Sequence, residues 1–355
     1  MIPADLSVPF KNLHNQTMLS TSLTLIFKKL RLSNPWNYKA PFLIAVPYLI
    51  IAITKPPFDC AILSIMASLV TILGIAGFGY FINDLTDIEK DNLIGKENAV
   101  SKLPDTKRLM LLLILLIMAI TPWFYLPLNW LNTSLLFFEF LLFVIYSFPP
   151  FRLKERGVAG VITDALYAHT NPAVLAAITF LMITNTDIFS ISNLLITLAS
   201  WQFVVGIRNI ILHQLKDYEN DQQSDTKTFV RNLGRNRSET WLKYLIIPLE
   251  VISFIFFAAC INEYIPSFIS AYLIFVPFTF FRVWVLWKRS MSKRVEENLN
   301  LFLDGFYTGW IPLLIAGHLF CLSPKFSVLF FLHLLLFKNG VSDFIRETKN
   351  IIFTR

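Results

Sequence analysis

The sequence predicts an all-α membrane protein with about nine transmembrane helices and a short apolar segment near the C-terminus that is a candidate tenth helix. Of its 355 residues, 55% are hydrophobic and 15% are charged, whereas soluble domains carry about 25% charged residues. The mean hydropathy is +0.58. Apolar segments long enough to cross about 30 Å of hydrocarbon recur along almost the whole chain. The sequence therefore does not divide into soluble domains.

Each of the nine segments approaches the roughly 20 residues that a transmembrane helix needs. They lie at residues 38–54, 58–82, 108–126, 128–147, 158–183, 188–215, 241–262, 265–287 and 304–322. We expect a cytoplasmic N-terminal segment (1–33), a transmembrane domain (34–322) and a C-terminal hydrophobic segment with a basic tail (323–355). The run at 326–337 is short for a crossing, yet the basic tail would be cytoplasmic only if it crosses. We favour a crossing or deeply buried helix.

The loops between these segments alternate in charge. Every second loop is rich in Lys and Arg, as in the stretches 90–108, 152–156, 216–237 and 288–294. By the positive-inside rule, these loops and the N-terminus are cytoplasmic in a multi-pass protein of the cell membrane. The same rule accounts for the net charge of +7, so the bilayer is the expected partner and nucleic acid is not. No cleavable signal peptide is expected, because residues 1–20 lack its order of basic, apolar and small residues.

Two acidic runs follow predicted helices on this cytoplasmic side. The first reads Asn83-Asp84-Leu85-Thr86-Asp87-Ile88-Glu89-Lys90-Asp91, and the second reads Asp217-Tyr218-Glu219-Asn220-Asp221. The i, i+4 spacing places the oxygens of each run in one stripe on a helix. Two such stripes facing each other would suit Mg²⁺, which prefers oxygen ligands. The alternative is that each run is a solvated acidic loop. The two runs also hint at a weak internal repeat.

Carboxylate-bound Mg²⁺ usually keeps open positions for substrate phosphates, so basic residues are expected nearby. Arg152 and Lys154 follow the Pro149-Pro150 turn, and Lys96 and Lys227 follow the two acidic runs. Arg208 and Asn209 precede Asp217 by about two helical turns and could hold the second run or contact phosphate.

These motifs resemble those of the UbiA family of intramembrane prenyltransferases. Asn83-Asp84-x-x-Asp87-x-x-x-Asp91 matches the family's first aspartate motif, and Asp217-x-x-x-Asp221 is similar to the second. The stretch Tyr146-Ser147-x-Pro149-Pro150-x-Arg152-Leu153-Lys154 is similar to the family's segment after the fourth helix. The three motifs occur in the family's order, and the resemblance covers roughly residues 34–322.

The resemblance implies a helical bundle around a central cavity that the aspartates cap on the cytoplasmic side. Mg²⁺ would bridge the aspartates to an isoprenyl diphosphate, and a lipophilic acceptor would capture the allylic cation after diphosphate leaves. The expected metal ligands are Asn83, Asp84, Asp87, Asp91, Asp217 and Asp221. The expected diphosphate ligands are Lys96, Arg152, Lys154, Lys227 and Arg208, and the expected substrate contacts are Tyr146, Asn209 and His169. Asp87, Asp91, Asp217, Asp221 and Asp164 are the expected catalytic residues.

Two departures from the family pattern stand out. Many members carry Arg-Pro near the start of the first helix, where this chain has Asn34-Pro35. The second motif usually reaches a Gly four residues after its last Asp, and here Asp225 occupies that position. Asp225 could add a carboxylate to the metal cluster or be solvated, and we favour the solvated alternative.

Ionisable residues at membrane depth are functional hypotheses by default. Asp164 and His169 lie within the fifth segment, just before Asn171-Pro172, where Pro172 interrupts the helical hydrogen bonds. Asp164 could accept a proton from an acceptor hydroxyl or orient it, or it could form a buried structural pair. For His169 we favour a structural role. Glu139 and Glu250 also lie deep in apolar segments, and the sequence assigns neither a role.

The sequence is also compatible with two other functions. A terpene cyclase on the same scaffold would let the substrate's own double bonds capture the cation. A transporter would use the acids to bind a coupling cation. The aspartates cluster at the cytoplasmic side, whereas a transport site is expected near the midplane, so we disfavour the transporter.

Overall fold

The computed structural model describes Trp36, residues 39–273, Pro277 and residues 305–338. Within these residues all regular secondary structure is helical, without strands. We number the described helices in chain order. They are α1 Ala40–Thr54, α2 Phe58–Thr86, α3 Ile88–Leu93, α4 Asp105–Ile120, α5 Trp130–Ser147, α6 Val158–Ile183, α7 Ser192–Lys216, α8 Tyr218–Gln223, α9 Phe229–Leu233, α10 Arg235–Tyr264, α11 Ile311–Leu322 and α12 Ser327–Leu336.

Six helical stretches of the described chain are long and apolar enough to cross a membrane. They are Phe58–Thr86, Asp105–Phe124, Trp130–Ser147, Val158–Ile183, Ile188–Lys216 and Arg235–Tyr264, and α1, α11 and α12 are shorter apolar helices. The predicted all-helical membrane fold is confirmed. The count of nine stays a prediction, because most of the expected segment 265–287 lies outside the described residues. The run 326–337 is a separate helix, α12, whose ten residues reach about 15 Å.

The acidic runs are helical, which agrees with the stripes predicted from their i, i+4 spacing and not with the solvated-loop alternative. α2 extends through Asn83 to Thr86, and α3 continues the first run; α8 carries the second. The reason is that the polar residues occupy one face, while Leu85 and Ile88 pack against a cluster formed by Phe78, Phe81 and Val100.

The bundle has an inner and an outer layer. α1 is buried along almost its whole length and packs against α2, α6 and α11. α4 lies outside, packed on α2, and buries only Leu115 and Ala119 along its length. Its other apolar side chains, such as Leu113 and Ile117, are exposed. Such an apolar surface is expected of a face that contacts lipid.

Two glycines let the helices approach closely. A Cβ atom at Gly206 of α7 would lie 2.6 Å from Ala165 Cα of α6, and one at Gly74 of α2 would lie 2.3 Å from the backbone of Ala119. Small residues permit this packing between membrane helices. The contact at Gly206 holds α6 and α7 together beside the central cavity.

Candidate active site

The first acidic run passes from α2 to α3 at Asp87. This residue follows the last residue of α2 with φ −103° and ψ 2°, and α3 begins at the next position. The helical direction is kept, since Asp87 N–H donates to Asn83 O at 3.1 Å and Asp91 N–H donates to Asp87 O at 2.8 Å. Asn83, Asp87 and Asp91 consequently share one face, and all three line the central cavity.

The second acidic run repeats this geometry. Asp217 ends α7 with φ −91° and ψ 8°, and Asp221 N–H donates to Asp217 O at 2.9 Å. In each run, the backbone N–H five residues after the last aspartate donates to the backbone oxygen of that aspartate. Lys96 N–H donates to Asp91 O, and Thr226 N–H donates to Asp221 O. The internal repeat expected from the sequence is therefore also present in the backbone conformation of the two runs.

The repeat explains the unusual residue Asp225. It has φ +53°, and Gly95, at the matching position of the first run, has φ +67°. The Asp225 side chain is 77% exposed and forms an ion pair with Arg231, which donates a hydrogen bond to Asp225 Oδ1 at 2.5 Å. This pairing with Arg231 lowers the pKa of the carboxyl. Asp225 thus occupies a turn position outside the cavity, in agreement with the solvated alternative.

Both runs line one end of a cavity of about 580 Å³. We call this end the acidic mouth; it is formed by Asn83, Asp87, Asp91, Asp217 and Asp221. The cavity continues between α1, α2, α5 and α6 to Trp123 and Leu126 in the turn after α4. Along α2 its lining extends from Asn83 to Ser68, about 22 Å at 1.5 Å per residue.

Within the described chain, no three Asp, Glu, His or Cys side chains lie together in a group that could hold a metal ion by themselves. The acids instead flank the mouth, where cationic, amide and hydroxyl side chains donate to Asp87, Asp91 and Asp221. Even so, the oxygen donors fit Mg²⁺, which is commonly bound through one or two carboxylates plus substrate phosphates rather than by a complete protein cage.

Lys154 and Arg152 hold Asp87 in place. Lys154 Nζ donates to Asp87 Oδ1 at 2.6 Å and to Asn83 Oδ1 at 3.1 Å. Arg152 donates to the same Asp87 oxygen at 2.9 Å and also pairs with Glu155. Burial lowers the pKa of Lys154, and the charge of Asp87 opposes that effect. Lys154 lines the cavity, whereas Arg152 does not.

Asn98, which the sequence did not single out, holds Asp91. Its amide donates to Asp91 Oδ2 at 2.9 Å and to the backbone oxygen of Asp84 at 2.7 Å. Lys96 Nζ lies 3.7 Å from Asp91 Oδ1 and lines the cavity. No spacing rule pointed to Asn98, because its contact depends on the turn after α3.

The pKa of Asp221, an acid of the acidic mouth, is raised. Burial, reinforced by the negative charge of Asp217, raises its pKa to about 6. The hydroxyl of Thr228 donates to Asp221 Oδ2 at 2.9 Å and opposes the increase. The acidic mouth therefore contains a carboxyl that exchanges a proton near pH 6.

Four predicted ligands lie outside the cavity lining. Asp84 is one position from Asn83 and so points about 100° away around α2. Lys227 is exposed on the surface. Arg208 is fully buried and pairs with Glu250 at 2.7 Å, because it faces α10 while its neighbour faces the cavity. Arg152, the fourth, braces Asp87 from outside.

Deeper in the cavity, the expected substrate contacts come together around a widened turn of α6. Residues Leu166–Thr170 form a π-helical turn, as expected before Pro172, which has no N–H to donate. Tyr167 donates to Asp164 at 2.5 Å, and its ring centroid lies 5.1 Å from that of Tyr146. Asn209 and His169 lie 3.3 Å apart through their side-chain nitrogens.

The sequence missed several residues that line the same cavity. Tyr167 could have been found from its i, i+3 spacing to Asp164. The others are Lys39, Lys90, His213, Lys216 and Asn220. Of these, Lys90 and Asn220 stand within the acidic runs but were not singled out, and the rest are identified by position alone.

Comparisons with known proteins agree with these observations. A family model described as the UbiA prenyltransferase family matches residues 40–306. A search of curated proteins found no match. Solved structures of a UbiA homologue from Archaeoglobus fulgidus share the fold at 20% sequence identity. The structure bound to DMAPP and Mg²⁺ has a TM-score of 0.54, and the one bound to GPP and Mg²⁺ has a TM-score of 0.55. Each similarity covers 82% of this chain and 98% of the other.

Proposed function

Because the chain belongs to the UbiA prenyltransferase family, we propose that it catalyses Mg²⁺-dependent transfer of an isoprenyl group from an isoprenyl diphosphate to a lipophilic acceptor, aromatic or lipid. The observation that carries the proposal is the acidic mouth, where two matching acidic runs and Lys154 open onto one deep, largely apolar cavity. The DMAPP and GPP bound with Mg²⁺ in the archaeal structures support this substrate class.

Asn83, Asp87, Asp91, Asp217 and Asp221 would hold the metal. The chemistry that bound Mg²⁺ supplies is neutralisation of the charge that develops on the leaving diphosphate. Lys154 and Lys96 would bind diphosphate oxygens, because both ammonium groups line the cavity beside the acids. Arg152 would act indirectly by holding Asp87.

In the first chemical step, the bond between C1 of the isoprenyl group and the diphosphate oxygen breaks, and its electron pair leaves with the diphosphate. The resulting allylic cation would lie near the rings of Phe143, Tyr146 and Tyr167, whose neighbouring centroids are 4.5 and 5.1 Å apart. Aromatic faces stabilise a cation by cation–π attraction. The apolar walls exclude water, which would otherwise capture the cation.

In the second step, the acceptor's nucleophile bonds to C1 and loses a proton. Asp164 is positioned by Tyr167 and lines the cavity, so it would accept that proton or orient the acceptor hydroxyl. His169 and Asn209, whose side chains lie 3.3 Å apart and line the same cavity, would contact the acceptor. By the positive-inside rule, the acidic mouth would face the cytoplasm from within the cell membrane.

A terpene cyclase would use the same cavity, so the product separates the two functions. Purified protein in lipid nanodiscs is incubated with geranylgeranyl diphosphate and Mg²⁺, with and without a lipid extract of the host, and the products are analysed by mass. A prenylated product that requires the extract supports transfer. A cyclic hydrocarbon formed without the extract would identify a cyclase, and solute flux in liposomes without prenyl turnover would identify a transporter.

A further inference from the structure

Glu139 is a carboxyl-bearing residue of the cavity wall that the proposed reaction does not use. It lies near the middle of α5, about 12 to 14 Å from either helix end. The side chain is 1% exposed and lines the central cavity. Ionisable residues at this depth are costly and face a partner or a functional cavity.

Asn171 fixes the orientation of this carboxyl group. Its side-chain amide donates to Glu139 Oε2 at 2.6 Å and to the backbone oxygen of Leu135 at 3.0 Å. The second carboxyl oxygen, Oε1, is buried and has no hydrogen-bond partner among the described residues. A buried polar atom without a partner is costly, and a bound ligand is one way to satisfy it.

Two further polar atoms of the cavity share this property. Thr71 Oγ1 and Trp123 Nε1 are both buried, and neither has a hydrogen-bond partner within the described part of the chain. Both residues line the same cavity as Glu139. Ala67 and Leu135, which lie one helical turn before Thr71 and Glu139, respectively, pack against the apolar cluster that contains Trp123. We call Thr71, Trp123 and Glu139 the inner polar subsite.

The subsite combines an indole N–H donor, a carboxyl oxygen that accepts, and a hydroxyl that does both. A hydrocarbon chain would leave all three without partners, whereas a hydroxyl group can donate to one and accept from another. The Glu139 level lies about 10 Å below Tyr146 along α5, deeper than the reacting end of the cavity.

We propose that the inner polar subsite binds a hydroxyl group of the prenyl acceptor, which therefore belongs to the hydroxylated lipophilic compounds. The identification of the ligand as the prenyl acceptor rests on the proposed function. The binding itself rests only on the three unsatisfied polar atoms and their place in the cavity.

The test compares two aromatic probes of similar size, 2-naphthol and 2-methylnaphthalene. Each is tritiated, and its equilibrium binding to the immobilised full-length protein is measured by scintillation proximity. Wild-type protein is expected to prefer 2-naphthol by about tenfold, the effect of one hydrogen bond to a buried partner. Glu139→Leu is expected to abolish the preference, and Glu139→Gln to retain part of it, because the amide oxygen still accepts.

Binding of geranyl diphosphate with Mg²⁺ is measured in the same samples. If it is normal and wild-type protein binds both probes equally, the subsite is refuted and the proposed function is untouched. If wild-type protein does not bind geranyl diphosphate but prefers 2-naphthol, hydroxyl binding stands and the assignment to an acceptor is overturned. Should Glu139→Leu fail to fold, Thr71→Val, which keeps the side-chain shape, is expected to reduce the preference; an unchanged preference in Thr71→Val and Glu139→Gln refutes the subsite.

Discussion

Lys154 donates hydrogen bonds to both Asp87 and Asn83, at 2.6 and 3.1 Å, and so joins the segment after α5 to the end of α2. The two residues it contacts are one helical turn apart in the first acidic run. The contact places an ammonium group at the acidic mouth, where the proposed diphosphate would bind.

Asp87→Ala and Asp217→Ala are each expected to lower Mg²⁺-dependent diphosphate release by at least about a hundredfold, because each removes a proposed ligand of the Mg²⁺ that would neutralise the leaving diphosphate. Purified protein is assayed with geranylgeranyl diphosphate and a coupled diphosphate assay. Asp225→Ala is the matched control, since Asp225 is an exposed aspartate four residues after the second run. Wild-type turnover in both of the first two variants would refute the metal assignment.

Lys154→Met is expected to raise the KM for the prenyl diphosphate by about tenfold or more, the usual loss for one hydrogen bond to a charged group. The fold should persist, because Arg152 still pairs with Asp87. Lys227→Met makes the same chemical change at an exposed position outside the cavity lining. Equal KM values for the two variants would contradict the placement of Lys154 at the diphosphate.

Mg²⁺ affinity is expected to fall as the pH drops through about 6. The folded protein raises the pKa of Asp221 to about 6, so this acid is charged and able to bind metal above that pH and protonated below it. Calorimetric titration with Mg²⁺ across pH 5 to 8 measures the midpoint of the loss.

Thr228 supplies the matched variant for this pH dependence. Its hydroxyl donates to Asp221 and lowers the pKa of that carboxyl, so Thr228→Val is expected to move the midpoint to higher pH. Asp221→Asn should remove the titration together with part of the affinity. A midpoint that is the same in wild type and Thr228→Val would contradict the role of this hydrogen bond.

Gly206→Ala is expected to destabilise the protein by about 1–3 kcal/mol, because the added methyl group would overlap Ala165 across the α6–α7 contact. Thermal unfolding in detergent measures the change. Gly317→Ala in α11 is the control, since its Cβ would meet only Phe330 at 3.9 Å and Ala favours a helix over Gly. A loss of stability in Gly317→Ala as large as in Gly206→Ala would refute the close-packing argument.

Much of the fold could be read from the chain itself, because membrane helices must satisfy their own backbone hydrogen bonds and cover their length with apolar side chains. This constraint made segments such as 58–82 and 158–183 visible. The i, i+4 spacing of Asp87 and Asp91 predicted their shared face, because a helix places every fourth side chain in one stripe.

The remaining features depend on contacts between distant segments, which spacing cannot supply. Arg208 and Asn209 are neighbours in sequence, yet one pairs with Glu250 of α10 and the other lines the cavity. Asn98 reaches Asp91 only through the turn after α3. The composition of the chain thus predicted the membrane bundle, and the spacing of its aspartates predicted the acidic stripes. The packing of α2, α5, α6 and α7 decided which polar groups face one cavity, because a side chain's partner depends on the helix that packs opposite it.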